Sequence, residues 1–232
     1  MAKRKTRRKK KTRQPELVRR DGALCAVFVN TATGARRPVE TYAELLAWGE
    51  KNGALTTAEA ARLRRGAAAR PADAEAVARR AQELRALVER VLSALAAHRM
   101  PAAADLEALS AELAAPLSAR RLVYADGGFR LAWDEAGDGD LDRMLWAVLV
   151  SVADVLCSDD HLHVRRCDGR DCELLFVDRT PGRHRRWCSR KRCGDRARAL
   201  KRYHREVKPR RRQRKKAEGR GATPVAGGGE DP

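Results

Sequence analysis

Cys167-Asp168-Gly169-Arg170-Asp171-Cys172 and Cys188-Ser189-Arg190-Lys191-Arg192-Cys193 are two cysteine pairs of matched spacing, separated by fifteen residues. Each pair can close a short knuckle that offers two sulfurs to one ion, and four thiolates satisfy the tetrahedral preference of zinc. Asp168 to Asp171 supply the turn chemistry that the first knuckle needs. Glu173 to Asp178 predict a strand, Thr180-Pro181-Gly182 a turn, and Arg183 to Trp187 a second strand returning to the second knuckle. A complete four-sulfur shell of Cys167, Cys172, Cys188 and Cys193 has no open position, so one Zn2+ here is structural rather than catalytic. Neither pair has the two-residue gap of a redox dithiol. His161 and His163, alternating on a predicted strand, are assigned outside the shell together with His184 and His204. The segment has little core of its own, so metal binding is expected to supply its folding energy. Loss of the metal is expected to unfold residues 161–206 and leave the preceding domain folded.

Upstream, the pattern is that of a mixed, mostly helical domain. Leu24 to Val29 form a short apolar run of strand length. Thr41 precedes Glu44 by three residues, and Thr56 precedes Glu59 likewise, the spacing of a capping box. Helices are expected over about 41–50 and 56–68. Pro71 suits the first turn of a third helix, in which Val77, Leu84, Leu87, Val88, Val91, Leu92 and Leu95 recur at helical spacing. Residues 102–115 predict a fourth, with Leu106, Leu109 and Leu113 on one face. Arg121 to Ala125 and Phe129 to Trp133 flank Asp126-Gly127-Gly128 as a hairpin. A last helix over 141–157 carries an apolar stripe from Leu141 to Leu156. Cys25 and Cys157 sit alone in apolar runs and read as small buried hydrophobes. Asp134, Glu135, Asp138, Asp140 and Asp142 lack calcium-loop spacing and read as a solvated loop.

Charge divides the chain differently. Residues 1–20 carry eleven Lys/Arg against one Glu, and residues 162–217 carry twenty-two against six acids, whereas residues 21–161 are net acidic. An acidic middle between two basic ends points to a polyanionic partner. No stretch approaches the roughly 18 apolar residues that would span a bilayer. The basic start has neither the apolar run of a secretory signal nor an apolar face for lipid. The expected location is the cytoplasm, where four clustered cysteines hold metal rather than disulfides.

These residues carry a resemblance. Cys167 to Arg205 resembles the CGNR zinc-finger family through its paired cysteines, Leu175 to Arg179, Arg185-Arg186-Trp187-Cys188-Ser189 and Cys193-Gly194-Asp195-Arg196. Asp195 stands where the family usually has Asn. Residues 24–157 resemble, less specifically, the ABATE domain that commonly precedes this finger, with Phe28-Val29-Asn30-Thr31 the clearest fragment. The resemblance implies a stress-linked transcription regulator.

The resulting fold expectation is α+β: a basic disordered tail (1–20), a mostly helical domain with a small antiparallel sheet (21–158), a four-cysteine zinc finger (161–206) and a basic, then Gly-rich tail (207–232). After Cys193 a helix carrying Arg196, Arg198, Lys201, Arg202 and Arg205 is largely basic, with Leu200 and Tyr203 expected to pack it on the zinc core. Such a helix beside a rigid metal core can enter a major groove or follow a phosphate backbone. Arg185, Arg186 and Trp187 add planes that can stack on bases. The leading expectation is a DNA-binding transcription regulator with a sensing or interaction domain, as a homodimer if its site is palindromic. The alternatives are an RNA- or ribosome-associated binder and a zinc-stapled protein-interaction module. No catalytic constellation points to an enzyme, and no residue names a small-molecule ligand.

Overall fold

The computed structural model describes residues 23–32, 39–125, 127–133 and 140–207. The two basic tails, apart from Val207, and the acidic residues Asp134, Glu135 and Asp138 lie outside them. Seven α-helices are described: α1 (Leu24–Val29), α2 (Tyr42–Asn52), α3 (Thr57–Ala69), α4 (Pro71–Ala96), α5 (Ala103–Ser118), α6 (Arg143–Leu156) and α7 (Asp195–Arg202). Two antiparallel hairpins accompany them, β1 (Arg120–Ala125) with β2 (Gly128–Trp133), and β3 (Val164–Arg166) with β4 (Leu175–Val177). No helix among the described residues is long and apolar enough to cross a membrane.

Helix α6 is the axis of the core. Its residues from Arg143 to Val152 are all buried, and α1, α2 and α5 pack around it. Both expected capping boxes form: the hydroxyls of Thr41 and Thr56 accept from the amides of Glu44 and Glu59, and the two glutamates reach back to the threonine amides. Tyr42 donates its hydroxyl to the Leu141 carbonyl at 2.8 Å, fixing the start of α2 against the entry to α6. Arg80 on α4 bridges Glu112 of α5 and Asp142 at the head of α6, each at 2.7 Å. Arg85, buried on the same helix, donates to Thr31 Oγ1 and the Val39 carbonyl at 3.3 and 3.1 Å.

Four local expectations are corrected. Leu24 to Val29 form a helix, not a strand. The run is buried on nearly every side, so its backbone must satisfy itself or find a ladder. The nearest strand, β4, pairs with β3 on one side, and on the other the Asn30 side chain occupies Leu175. Asn30 Nδ2 donates to the Leu175 carbonyl at 2.7 Å and Oδ1 accepts from its amide at 2.9 Å. Arg183 to Trp187 do not form the returning strand. The partner of β4 is β3, which precedes Cys167, and His161 and His163 lie in a 3-10 turn before it. The Arg183 segment is instead tied to β4 by a side chain: Asp178 Oδ2 accepts from the Arg185 amide at 2.7 Å. Cys25 is fully buried as expected, and burial pushes its thiol up to about 11, but Cys157 is exposed at the end of α6.

Alternation along β4 gives the hairpin two inner faces. Leu175 and Val177, with Val164 from β3, belong to the main helical core. Phe176 points the other way, into a second cluster with Cys167 and Cys193. The zinc segment, expected to have little core of its own, thus shares β4 with the helical core. Asn30→Ala would strand a buried amide and carbonyl of Leu175, at a cost of about 1–3 kcal/mol for each group left unpaired. Urea denaturation should show a lower midpoint with an unchanged slope.

Candidate metal centre and basic helix

Four sulfurs meet beside Phe176. Cys167 follows β3, Cys172 closes the first knuckle, and Cys188 and Cys193 bracket the second; all four Sγ atoms lie within 4.8 Å of one another. The Cys172–Cys188 and Cys188–Cys193 separations are 3.8 and 3.7 Å. Thiolates arranged tetrahedrally at about 2.3 Å from zinc stand about 3.8 Å apart. The donor set thus fits a single four-coordinate structural Zn2+.

The first knuckle is shaped for close approach. Asp171 adopts a left-handed φ of 58°, and the Cys172 amide returns to the Gly169 carbonyl at 3.1 Å. A Cβ on Gly169 would lie 2.9 Å from Cys193 Sγ and 3.3 Å from Cys167 Sγ, so only glycine leaves room for the second pair. The amides of Gly169 and Cys188 point at Cys167 Sγ from 3.4 and 3.2 Å. Burial alone would raise the Cys167 thiol, but these two amides together with the Cys172 and Cys188 thiols outweigh it and hold the group below its ordinary range. Cys188 is pushed the opposite way by burial and by the charge on Cys167. One thiolate therefore disfavours its neighbours, and a divalent cation among them removes that conflict.

Outside the sulfurs, arginines and one aspartate hold the shell. Asp178 is fully buried and accepts from the Thr180 amide and hydroxyl at 3.0 and 2.6 Å, and from the Arg185 amide. Burial raises its carboxyl, yet these donors prevail and keep it below the usual carboxylate range. Arg185 lies 4.7 Å over the Phe176 ring and donates to the carbonyls of Trp187, at 2.9 Å, and Cys188. Its guanidinium is already engaged inside the finger. Arg186 is exposed, pairs with Asp168 at 2.7 Å and sits 5.5 Å over the Trp187 ring. Trp187 is only half-exposed and packs on the metal cluster.

The second knuckle passes directly into the basic helix. Ser189 Oγ accepts from the Arg192 amide at 3.3 Å and its carbonyl from the Gly194 amide at 3.0 Å, closing a wide turn of helix over Arg190–Gly194. Helix α7 starts at Asp195, two residues after Cys193, and buries none of its residues. Arg196, Arg198, Lys201, Arg202 and Arg205 are all exposed. Leu200 and Tyr203, expected to dock the helix, are 38% and 39% exposed. Asp195, at the family's usual Asn position, forms an ion pair with Arg198.

Residues 22–159 match the ABATE family, described as a putative stress-induced transcription regulator, over more than half of the chain. The chain belongs to the ABATE family. Residues 163–206 match the CGNR zinc finger, so both parts of the resemblance hold. A search of curated proteins finds no match. Against this family background, three residues that hold the finger escaped the sequence reading. Gly169 carried no signal beyond turn-forming chemistry, Asp178 was read only as the end of a predicted strand within the Leu175–Arg179 fragment, and Asn30 was visible only inside the Phe28–Thr31 fragment.

The geometry makes two substitutions informative. Cys188→Ser should reduce bound zinc from one equivalent to none in elemental analysis of the purified protein. Gly169→Ala keeps all four ligands but intrudes on Cys193, and should weaken zinc retention against a colorimetric chelator by tenfold or more.

Proposed function

We propose that this ABATE-family chain is a cytoplasmic DNA-binding transcription regulator, with a binding rather than a catalytic role. In this reading the helical domain serves as a sensing or interaction module. The zinc finger presents α7 to duplex DNA. The observation that carries it is the placement of α7. A four-cysteine metal site adjoins its first turn, none of its described residues is buried, and five cations project from it and the turn after it. Arg198, Lys201, Arg202 and Arg205 fall at spacings of three and four, which sets them on neighbouring helical positions. Such a row suits phosphate contacts, and the helix diameter suits the major groove. Arg186 extends the same charge from the finger, whereas Arg185 contributes by holding the finger together.

RNA or a ribosomal site is a polyanion of the same sign, and competition binding separates them. Labelled duplex DNA bound at about 0.1 M salt should be displaced by unlabelled duplex more readily than by structured RNA, and a chelator should abolish the complex. Preference for RNA would transfer the function to that ligand. Indifference among polyanions would reduce it to electrostatics. Within this system Arg198→Ala and Lys201→Ala should each lower affinity at all sequences and reduce the salt slope by about one. Asp195→Asn, which restores the family's usual side chain, removes a negative charge and frees Arg198. It should tighten binding severalfold with zinc content unchanged, as read by fluorescence anisotropy.

A further inference from the structure

The β1–β2 hairpin presents an apolar face that no described element covers. Residues alternate across a strand, so Leu122 and Tyr124 of β1 share a face, and the register sets them opposite Leu131 and Phe129 of β2. The four are 68%, 67%, 54% and 75% exposed. They are ordered against one another rather than splayed: the Tyr124 and Phe129 rings meet edge to face at 5.1 Å. At the open end of the hairpin the same face continues into Trp133. That residue packs on Trp146 at 6.2 Å and donates Nε1 to the Pro116 carbonyl at 3.0 Å. The hairpin is thus anchored to the helical core at one end and projects its apolar pairs from it. Leu117, next to that anchor, is also 49% exposed. Among the described residues β1 and β2 pair only with each other.

We propose that this face is a homodimer interface, occupied by a second copy of the same hairpin across a two-fold axis. Three observations favour a second copy over a different partner. The first is self-complementarity. A two-fold axis lying in the plane between the faces, perpendicular to the strands and midway between the two cross-strand pairs, runs the strands of the two copies in opposite directions and seats the aromatic pair of one copy against the leucine pair of the other. Bulky rings then meet smaller branched chains from both sides, as an isologous contact requires. The second is area. Free side chains of this size present on the order of 200 Å2 each, so at the exposures given the four offer roughly 500 Å2 per copy. Doubled, that reaches the roughly 1,000 Å2 at which a specific interface begins. The third is charge. No ionised side chain lies among the four; Arg120, which shares the face at its anchored end, is laid over the Trp133 ring at 5.5 Å, so the exposed pairs offer an apolar rather than a charged contact. A contiguous exposed apolar surface of this extent marks an interaction site rather than an ordinary solvent face.

The dimer predicted here is independent of any nucleic-acid contact, and its test contains none. The full-length, zinc-loaded chain is examined by sedimentation equilibrium at micromolar concentration. The wild type should show twice the 25.8 kDa chain mass and no larger species. Because each chain carries a formal charge of +19, two copies repel. Raising salt from about 0.1 M to about 1 M shortens the Debye length from about 10 Å to about 3 Å and screens that repulsion. Dimerisation should therefore hold or tighten with salt, the opposite of an ion-paired contact. Phe129→Glu combined with Leu131→Glu should weaken self-association by a hundredfold or more, while zinc content and the far-UV circular dichroism spectrum stay as in wild type. Phe129→Leu, which keeps the face apolar, should remain dimeric. A wild-type chain that stays monomeric at about 100 µM overturns the proposal. So does a dimer indifferent to the two glutamates, or association that continues past two copies.

Discussion

Strand β4 is buried on both faces, and two apolar clusters close on it from opposite sides. Leu175 and Val177 complete the helical core, while Phe176 forms the floor of the metal site. Neither cluster can move far without the other. The link is reinforced at the backbone, where Asn30 occupies both polar groups of Leu175 as a neighbouring strand would. An amide side chain suits this position because it offers one donor and one acceptor at the spacing of a peptide unit. A carboxylate offers no donor at neutral pH, and an apolar side chain offers neither. The short helix α1 and the sharp departure of the chain at Asn30-Thr31 are consequences: the residue that caps the helical run must also face the strand.

Metal and charge fit together on the outer side of β4. Four thiolates around one Zn2+ leave a net negative centre in a partly buried site. Such a centre needs compensation from donors rather than from a second ion. It receives amides from Gly169 and Cys188, while Arg185 lies over Phe176 and ties the carbonyls of the second knuckle. The arginines of this segment accordingly have two kinds of work. Arg179, Arg183 and Arg185 are bound to Asp160, Asp178 and backbone carbonyls within the fold. Arg196, Lys201, Arg202 and Arg205 face solvent. Net charge counts both kinds alike, which is why the basic character of the segment alone overstates the surface available to a ligand.

The parts legible in the sequence were those encoded by spacing. Two matched cysteine pairs specified the metal site, and two threonine–glutamate intervals specified helix starts. The β1–β2 hairpin, bounded by Gly127 and Gly128, was equally local. What could not be read depended on contacts between residues far apart in the chain. Leu24 to Val29 is apolar throughout, so its pattern cannot distinguish a buried strand from a buried helix. The choice is made by Leu175, some 145 positions away, through Asn30. Likewise the segment after Gly182 had the composition of a strand, but Asp178 takes the Arg185 amide with its side chain and the ladder goes to β3 instead. Leu200 and Tyr203 were expected to dock α7 on the zinc core, but both stay more than a third exposed.

The placement of α7 follows from this arrangement. An eight-residue helix with no buried side chain has too little propensity and no packing to hold it in water. Its stability must come from its first turn, where Ser189 and Gly194 close the knuckle and the metal ligand Cys193 stands two residues ahead of it. A contiguous series of contacts then runs from α1 through Asn30, Leu175 and Phe176 to the sulfurs, and on to the start of α7. Zinc is the only member of that series able to join segments with no apolar surface between them. The metal therefore fixes the direction in which the cations project, although it touches none of them.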